Sequence, residues 1–184
     1  MVKQHLPTIA IFGGSFDPPH RGHQDIVSKA LRYLDIDKLV VVPAYLNPFK
    51  SSSLASSIQR LEWCHKLFDS IDGVEVDDYE IREGKSTTTS QSVRYLSQQY
   101  EVKYIIIGAD NLESLSKWYD YEWLDETITW VVASRDGDYK YPKDSIVLDI
   151  DAPISSTQIR EERDLKYIDS KIKKSVQQII EGQK

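Results

Sequence analysis

One cysteine, Cys64, is all the thiol chemistry this 184-residue sequence offers. A lone cysteine forms no internal disulfide and sets no metal-ligand spacing, and it suits a reducing cytoplasm, the location expected for the chain. On a helical stretch that also carries Leu61, Leu67 and Phe68, Cys64 reads as a core residue and not as a nucleophile. Long apolar runs are missing as well: Leu39–Val42 and Tyr104–Ile107 are far too short to span a bilayer. The opening residues Met1–Pro7 lack the apolar stretch of a signal peptide. Positive charge is not in excess, since 23 Lys and Arg stand against 29 Asp and Glu for a net −6. That balance excludes broad contact with nucleic-acid backbone, so neither nucleic acid nor membrane is expected as a partner. A phosphate site needs only a local group of donors and can sit on an acidic protein. What the chain does have is 40% hydrophobic and 28% charged residues, the proportions of a soluble globular domain long enough to bury a core. It carries no signal of oligomeric state.

Thr8–Phe12 is a β-rich run stopped by Gly13-Gly14, which predicts a first strand ending in a tight turn. From His23 onward, Ile26, Val27, Ala30, Leu31 and Leu34 recur at helical spacing. Lys38–Pro43 reads as a second strand closed by proline. Leu54, Ile58, Leu61, Phe68 and Ile71 mark an amphipathic helix, Val74–Val76 a short strand, and Val93 with Leu96 another helix. Strands follow at Tyr104–Ile107 (ended by Gly108), Ile128–Ala133 and Ser145–Leu148. Ile168, Ile172, Val176, Ile179 and Ile180 form a last helical stripe. Apolar strands with no polar face, alternating with helices, imply an α/β fold of Rossmann-like, doubly wound type: a mostly parallel sheet with helices on both faces. Ligands of such sheets bind beyond the carboxyl ends of the strands. Gly13–His23, Pro43–Lys50, Gly108–Trp118 and Arg135–Gly137 should therefore share one edge. The serine-rich stretches Ser51–Ser57 and Ser86–Ser90 read as loops or caps.

The first of these turns carries the densest chemistry. Gly13 and Gly14 let an anion approach the main chain. Phe16 should pack inward, and Asp17 can fix the turn by accepting main-chain N–H bonds. His20 and His23 are one helical turn apart and can share a face, with Gly22 leaving room between them. A helix start adds N–H donors and partial positive charge, so the string as a whole makes an anion pocket. It is not a dinucleotide fingerprint, which needs Gly-x-Gly-x-x-Gly, nor a P-loop, which ends in Gly-Lys-Ser/Thr. A zinc site at His20 and His23 would need further ligands, so no metal site is expected.

Gly13-Gly14-Ser15-Phe16-Asp17-Pro18-Pro19-His20-Arg21-Gly22-His23 resembles the His-x-Gly-His segment of the nucleotidylyltransferase superfamily. Ile154-Ser155-Ser156-Thr157-Gln158-Ile159-Arg160 resembles its second phosphate motif. Between them, Ile107-Gly108-Ala109-Asp110 with Leu115 and Trp118-Tyr119 resembles the Gly-x-Asp…Trp segment of bacterial nicotinate mononucleotide adenylyltransferases. Glu80-Ile81-Arg82, Gly84 and Ser86-Thr87-Thr88 resemble that family's Glu-x-x-Arg-x-Gly-x-Ser-Tyr-Thr segment, and Arg135-x-Gly137 its Arg-x-Gly. The chain departs from the family at Asn47-Pro48-Phe49-Lys50, where Pro-Pro-His-Lys is usual, at Thr87 in place of tyrosine, and at Ser90-Gln91-Ser92 in place of Asp-Thr-Leu. These departures fall on the acceptor side.

The resemblance implies a single nucleotidyltransferase domain over residues 1–184, with a C-terminal helical segment from about 156. It implies an enzyme of NAD biosynthesis that moves AMP from ATP to nicotinate mononucleotide, giving nicotinate adenine dinucleotide and pyrophosphate, with Mg²⁺ arriving on the ATP. The alternatives are a phosphopantetheine adenylyltransferase, which usually has threonine where His20 stands, and a catalytically silent nucleotide-binding module. The catalytic pair would be His20 and His23. Gly13, Gly14, Ser15, Phe16, Gly22, Lys50, Gly108, Asp110, Arg135, Ser155, Ser156, Thr157, Ile159 and Arg160 would join them in binding ATP. Ser15, Thr87, Thr88, Trp118 and Tyr119 would bind the acceptor, with Trp118 offering a flat surface to a planar ring. Asp110 suits ribose hydroxyls and also suits capping of the helix that follows it. Trp63, Trp123 and Trp130 read as packing.

Overall fold

The structure is a computed structural model and describes residues 5–46, 53–134, 139–152 and 154–182. Lys50, Arg135 and Gly137 lie outside the described residues. Six strands, β1 (Thr8–Gly14), β2 (Lys38–Pro43), β3 (Val74–Val76), β4 (Glu101–Gly108), β5 (Thr129–Ser134) and β6 (Ile146–Asp149), form one sheet in the order β3-β2-β1-β4-β5-β6. Every pairing is parallel. The strand order reverses between β1 and β4, and a crevice opens at such a switch point.

Helices cover both faces, and the period-2 alternation of the strands assigns each side chain to one of them. Ala10, Phe12, Leu39, Val41, Tyr104, Ile106, Val131 and Ala133 face one core. On that side pack α1 (Arg21–Tyr33), α2 (Ser57–Phe68), α6 (Ser156–Glu162) and α7 (Ser170–Glu181). Ile9, Ile11, Val40, Val42, Ile105, Ile107, Trp130 and Val132 face the other core, against α4 (Thr89–Leu96) and α5 (Tyr121–Thr127). This double burial explains why the strands lack polar alternation. Among the described residues, no helix is long and apolar enough to cross a membrane.

Local chemistry sets the helix ends. Ser56 caps α2 by accepting from the Gln59 N–H, and Thr88 caps α4 with Gln91 completing a capping box. The capping function expected of the serine- and threonine-rich stretches is thus found at both. The first helix begins at Arg21, two residues before the expected start, because His20 serves as its cap. In α2 the buried stripe is Arg60, Trp63, Cys64, Leu67 and Phe68, at i, i+3, i+4, i+7 and i+8. Ile58, expected on the apolar face, is 57% exposed, since the stripe runs along the neighbouring row. Two short helices, α3 (Tyr79–Glu83) and α5, have too few apolar positions to show a period. Trp63, Trp130 and Cys64 are buried as expected, and Trp123 lies half-buried beneath the Arg94 guanidinium.

Candidate active site

The carboxyl ends of β1, β2, β4 and β5 surround a cavity of about 600 Å³. Its wall includes Gly13, Gly14, Ser15, Phe16, His20, Gly22 and His23 from the first turn, and Gly108 and Asp110 beyond β4. Ser155, Ser156 and Thr157 come from the start of α6, and Thr87, Thr88, Trp118 and Tyr119 from the opposite side. The two motifs and the middle segment, far apart in the chain, therefore share one wall.

The first turn is built around two imidazoles. His20 Nδ1 accepts the Gly22 N–H at 3.1 Å, and His23 Nδ1 accepts the His20 N–H at 3.1 Å. The pair thus replaces the usual Ser and Glu of a capping box. An Nδ1 that accepts a hydrogen bond carries no hydrogen, so these bonds select neutral rings protonated on Nε2. The ring centroids lie 3.9 Å apart. Gly22 is required here because a Cβ would come 2.9 Å from His20 Cε1; the space serves the His20 ring against the main chain, more than a gap between the two rings. Phe16 is 1% exposed, as expected of an inward residue, and its ring backs His23 at 5.0 Å and Phe12 at 5.3 Å. It holds a positive φ of 48°, a conformation that costs a non-glycine residue about 1 kcal/mol or more. Packing in the core offsets that cost. Asp17 departs from the expected role: its carboxylate accepts from Leu54 N at 2.7 Å and Ala55 N at 3.0 Å, so it secures the segment leading into α2 and not its own turn.

The second motif grips the first. Ser156 Oγ donates to Pro18 O at 2.9 Å, and Arg160 Nη1 donates to Asp17 O at 2.5 Å while Nη2 reaches Thr157 Oγ1 at 3.1 Å. Arg160 is absent from the cavity wall, and Ile159 is fully buried in the core. The segment before α6 is fastened to α1: Lys29 Nζ donates to Asp149 O at 2.5 Å and to Asp151 Oδ2 at 2.9 Å, and Asp25 Oδ2 accepts the Asp151 N–H at 3.1 Å.

Past β4, Asp110 lies inside a single short turn, Ala109–Asn111, whose N-cap is Gly108. Its carboxylate is exposed at the cavity, accepts the Asn111 amide at 3.2 Å, and folds back over Gly108, where a Cβ would collide with it. Trp118 sits half-buried with its ring edge-on to Trp130 at 6.1 Å. Its indole N–H is buried and meets no acceptor among the described residues, a situation that costs about 1–3 kcal/mol when no ligand satisfies it. Near Thr87 and Thr88, Glu80 also lines the cavity and accepts the Ser92 hydroxyl at 2.7 Å. Burial raises the Glu80 carboxyl from its ordinary value, and the Ser92 bond works the other way.

Glu80 and Ser92 stand in segments compared with the family without a place among the expected site residues, and Lys117 and Tyr139 have none either; all four form the wall. Their position past strand ends β4 and β5 was the available signal for Lys117 and Tyr139. Among the described residues no three His, Cys, Asp or Glu side chains gather so as to hold a metal ion.

Comparison with known proteins places this site in context. The cytidylyltransferase-like family profile matches residues 11–162. A protein from Sulfurovum sp. (strain NBC37-1), described as a probable nicotinate-nucleotide adenylyltransferase, is 58% identical over the full length of both chains. A protein of the same description from Sulfurimonas denitrificans is 43% identical over 93% of each chain. The fold matches the Plasmodium falciparum nicotinic acid mononucleotide adenylyltransferase solved with NaAD, with a TM-score of 0.72 at 20% identity over 96% of this chain and 95% of the other. At that identity the likeness concerns the fold.

Proposed function

Because the chain belongs to the nicotinate-nucleotide adenylyltransferase family, within the broader cytidylyltransferase-like group, we propose that it transfers AMP from ATP to nicotinate mononucleotide. The products are nicotinate adenine dinucleotide and pyrophosphate, in the biosynthesis of NAD. One observation carries this reading: a single cavity joins the His20–His23 turn and Ser155–Thr157 to Thr87, Thr88, Trp118 and Tyr119. One end of it suits a triphosphate and the other a flat ring.

The reaction is an in-line displacement. An oxygen of the acceptor's 5′-phosphate attacks the α-phosphorus of ATP, the bond to the β-phosphate oxygen breaks, and pyrophosphate leaves with the electron pair. The attacking phosphate is already anionic, so the chain needs no general base, and positioning and charge stabilisation supply the rate. His20 and His23, with Nδ1 occupied by the main chain, present Nε2–H as the donor to developing charge on the α-phosphate. Gly13, Gly14, Ser15, Phe16 and Gly22 give main-chain approach. Ser155, Ser156 and Thr157 take the leaving pyrophosphate. Arg160 uses one hydrogen on each terminal nitrogen for Asp17 and Thr157, and its remaining N–H groups are its means of reaching phosphate. Ile159 acts through packing. Lys50 and Arg135 belong to the same ATP-binding set. Asp110 takes ribose hydroxyls, a role supported by its exposed carboxylate on the cavity wall. Trp118 stacks on the pyridine ring, and the Thr87–Thr88 and Tyr119 main chain receives its carboxylate. Mg²⁺ enters as part of the Mg·ATP substrate.

The test is pyrophosphate release with nicotinate mononucleotide, nicotinamide mononucleotide and phosphopantetheine, compared side by side. Turnover should be fastest with the nicotinate nucleotide. Preference for phosphopantetheine, or no release with any acceptor, would overturn the assignment.

A further inference from the structure

Arg60 is the one charged side chain among the largest fully buried residues, at 1% exposure. Among the described residues it meets no carboxylate within hydrogen-bond reach; it meets four carbonyls. Nη1 donates to Ser15 O at 2.7 Å and Ala44 O at 2.6 Å, Nη2 to Tyr45 O at 2.5 Å, and Nε to Ala55 O at 3.4 Å. Two of the three segments it joins are already adjacent through the Ala44 N–H bond to Gly14 O. Burial works against its charge, and the nearby Asp17 carboxylate supports it. A buried arginine is expensive to keep, and a hydrophobic residue of similar volume would stabilise the fold as well or better. A buried cation whose hydrogen bonds all go to carbonyls, two of them (Ser15 and Ala44) on residues of the cavity wall, therefore calls for a functional account.

The account follows from the planar trans peptide, in which C=O and N–H point in opposite directions. Turning Ser15 O and Ala44 O toward Arg60 turns the N–H groups of Phe16 and Tyr45 away from it. Neither N–H meets a protein acceptor among the described residues. We propose that Arg60 is a positioning residue for the adenylyl transfer described above: from behind the site it orients the peptides 15–16 and 44–45 so that their N–H groups form an anion cradle for substrate phosphate. A guanidinium is suited to this because its rigid fork spans carbonyls from separate segments, which a lysine ammonium donating from a single atom cannot do.

Arg60→Lys and Arg60→Met should be compared with the wild type at a temperature where all remain folded. Titrations with pyrophosphate, nicotinate mononucleotide and adenosine separate an effect on anions from general loosening. In both variants the Kd of at least one phosphate-bearing probe should rise about tenfold, the size of a lost charge-assisted hydrogen bond. Adenosine affinity should hold within about twofold. Turnover should fall about 100-fold, as for a small misplacement at the reacting centre. Unchanged phosphate affinities, or an equal loss for adenosine, would overturn the proposal. So would an Arg60→Lys protein that cannot fold, which would confine Arg60 to stability. The binding arms need no turnover, so they decide the role of Arg60 separately from the acceptor assignment.

Discussion

Each histidine of the first turn does two jobs with its two nitrogens. Nδ1 caps the helix and Nε2 is the ring's donor, so a substitution can remove one job and keep the other. Asparagine in place of His20 puts an amide oxygen near the position of Nδ1 and is itself a good cap. Glutamine in place of His23 is an ordinary third residue of a capping box. His20→Asn and His23→Gln are therefore expected to melt close to the wild type yet lose about 100-fold or more in kcat, the scale of a removed oxyanion donor. His20→Ala should lose the same activity and about 1 kcal/mol of stability besides. Thermal melts alongside steady-state kinetics check both halves, and near wild-type turnover in either His20→Asn or His23→Gln would contradict the assigned role. Glu80 gives a second residue-scale expectation, in pH. Its carboxyl is raised in the folded state by burial, so between its ordinary value of 4.5 and its folded value the native chain holds more protons than the unfolded one. Stability must fall as pH rises through that window. Glu80→Gln removes the titration, so urea midpoints of the variant relative to wild type should climb as pH rises above 4.5. A difference that stays flat with pH would show that Glu80 is not raised.

At the scale of elements, the strands were legible because both faces are buried: Val74–Val76 and Lys38–Pro43 match their predicted limits to the residue. Helices were legible where an apolar stripe persists, as in α7, and illegible where five to seven residues carry a single buried position, as in α3 and α5. Contacts that join elements left no trace in local pattern. Lys29 lies on α1 among apolar neighbours that announce a helix, yet its amine holds the Asp149–Asp151 segment that delivers the second phosphate motif. Lys29→Met is expected to raise the KM for ATP about fivefold, equivalent to about 1 kcal/mol, with kcat little changed and stability within about 1 kcal/mol of wild type. Lys103→Met makes a control: it breaks an exposed pair with Asp35 near the amino end of β4, away from the cavity, and should leave the KM unaltered. Equal effects of the two substitutions would remove Lys29 from its role as a fastener.

For the whole molecule, the site is a closure between distant parts of the chain. Motif matching identified the first turn, the second motif and the Gly108–Trp118 segment, since each is a contiguous string whose residue types suit anions or a ring. It could not reveal that Arg60 stands behind the first turn, that Asp17 reaches across to Ala55, or that Arg160 clasps the main chain of the turn, because those partners are separated by 38 to 143 positions in sequence. Such long-range clasps make the cavity a property of the complete fold. A ligand touching both motifs should then stabilise the entire cooperative unit. With binding to the folded state alone, Mg·ATP at about 100 times its Kd adds about 2.7 kcal/mol. For a domain of this size each kcal/mol shifts the melting midpoint by about 2–4 °C, so a rise of about 5–11 °C is expected. His20→Asn, folded but without the proposed ATP contact, should show a smaller rise at the same ligand concentration. Arg60→Lys should also show a smaller rise if its cradle holds the triphosphate. Calorimetric scans at a series of ATP concentrations supply the check: a midpoint indifferent to Mg·ATP would mean that the two motifs do not bind the nucleotide together.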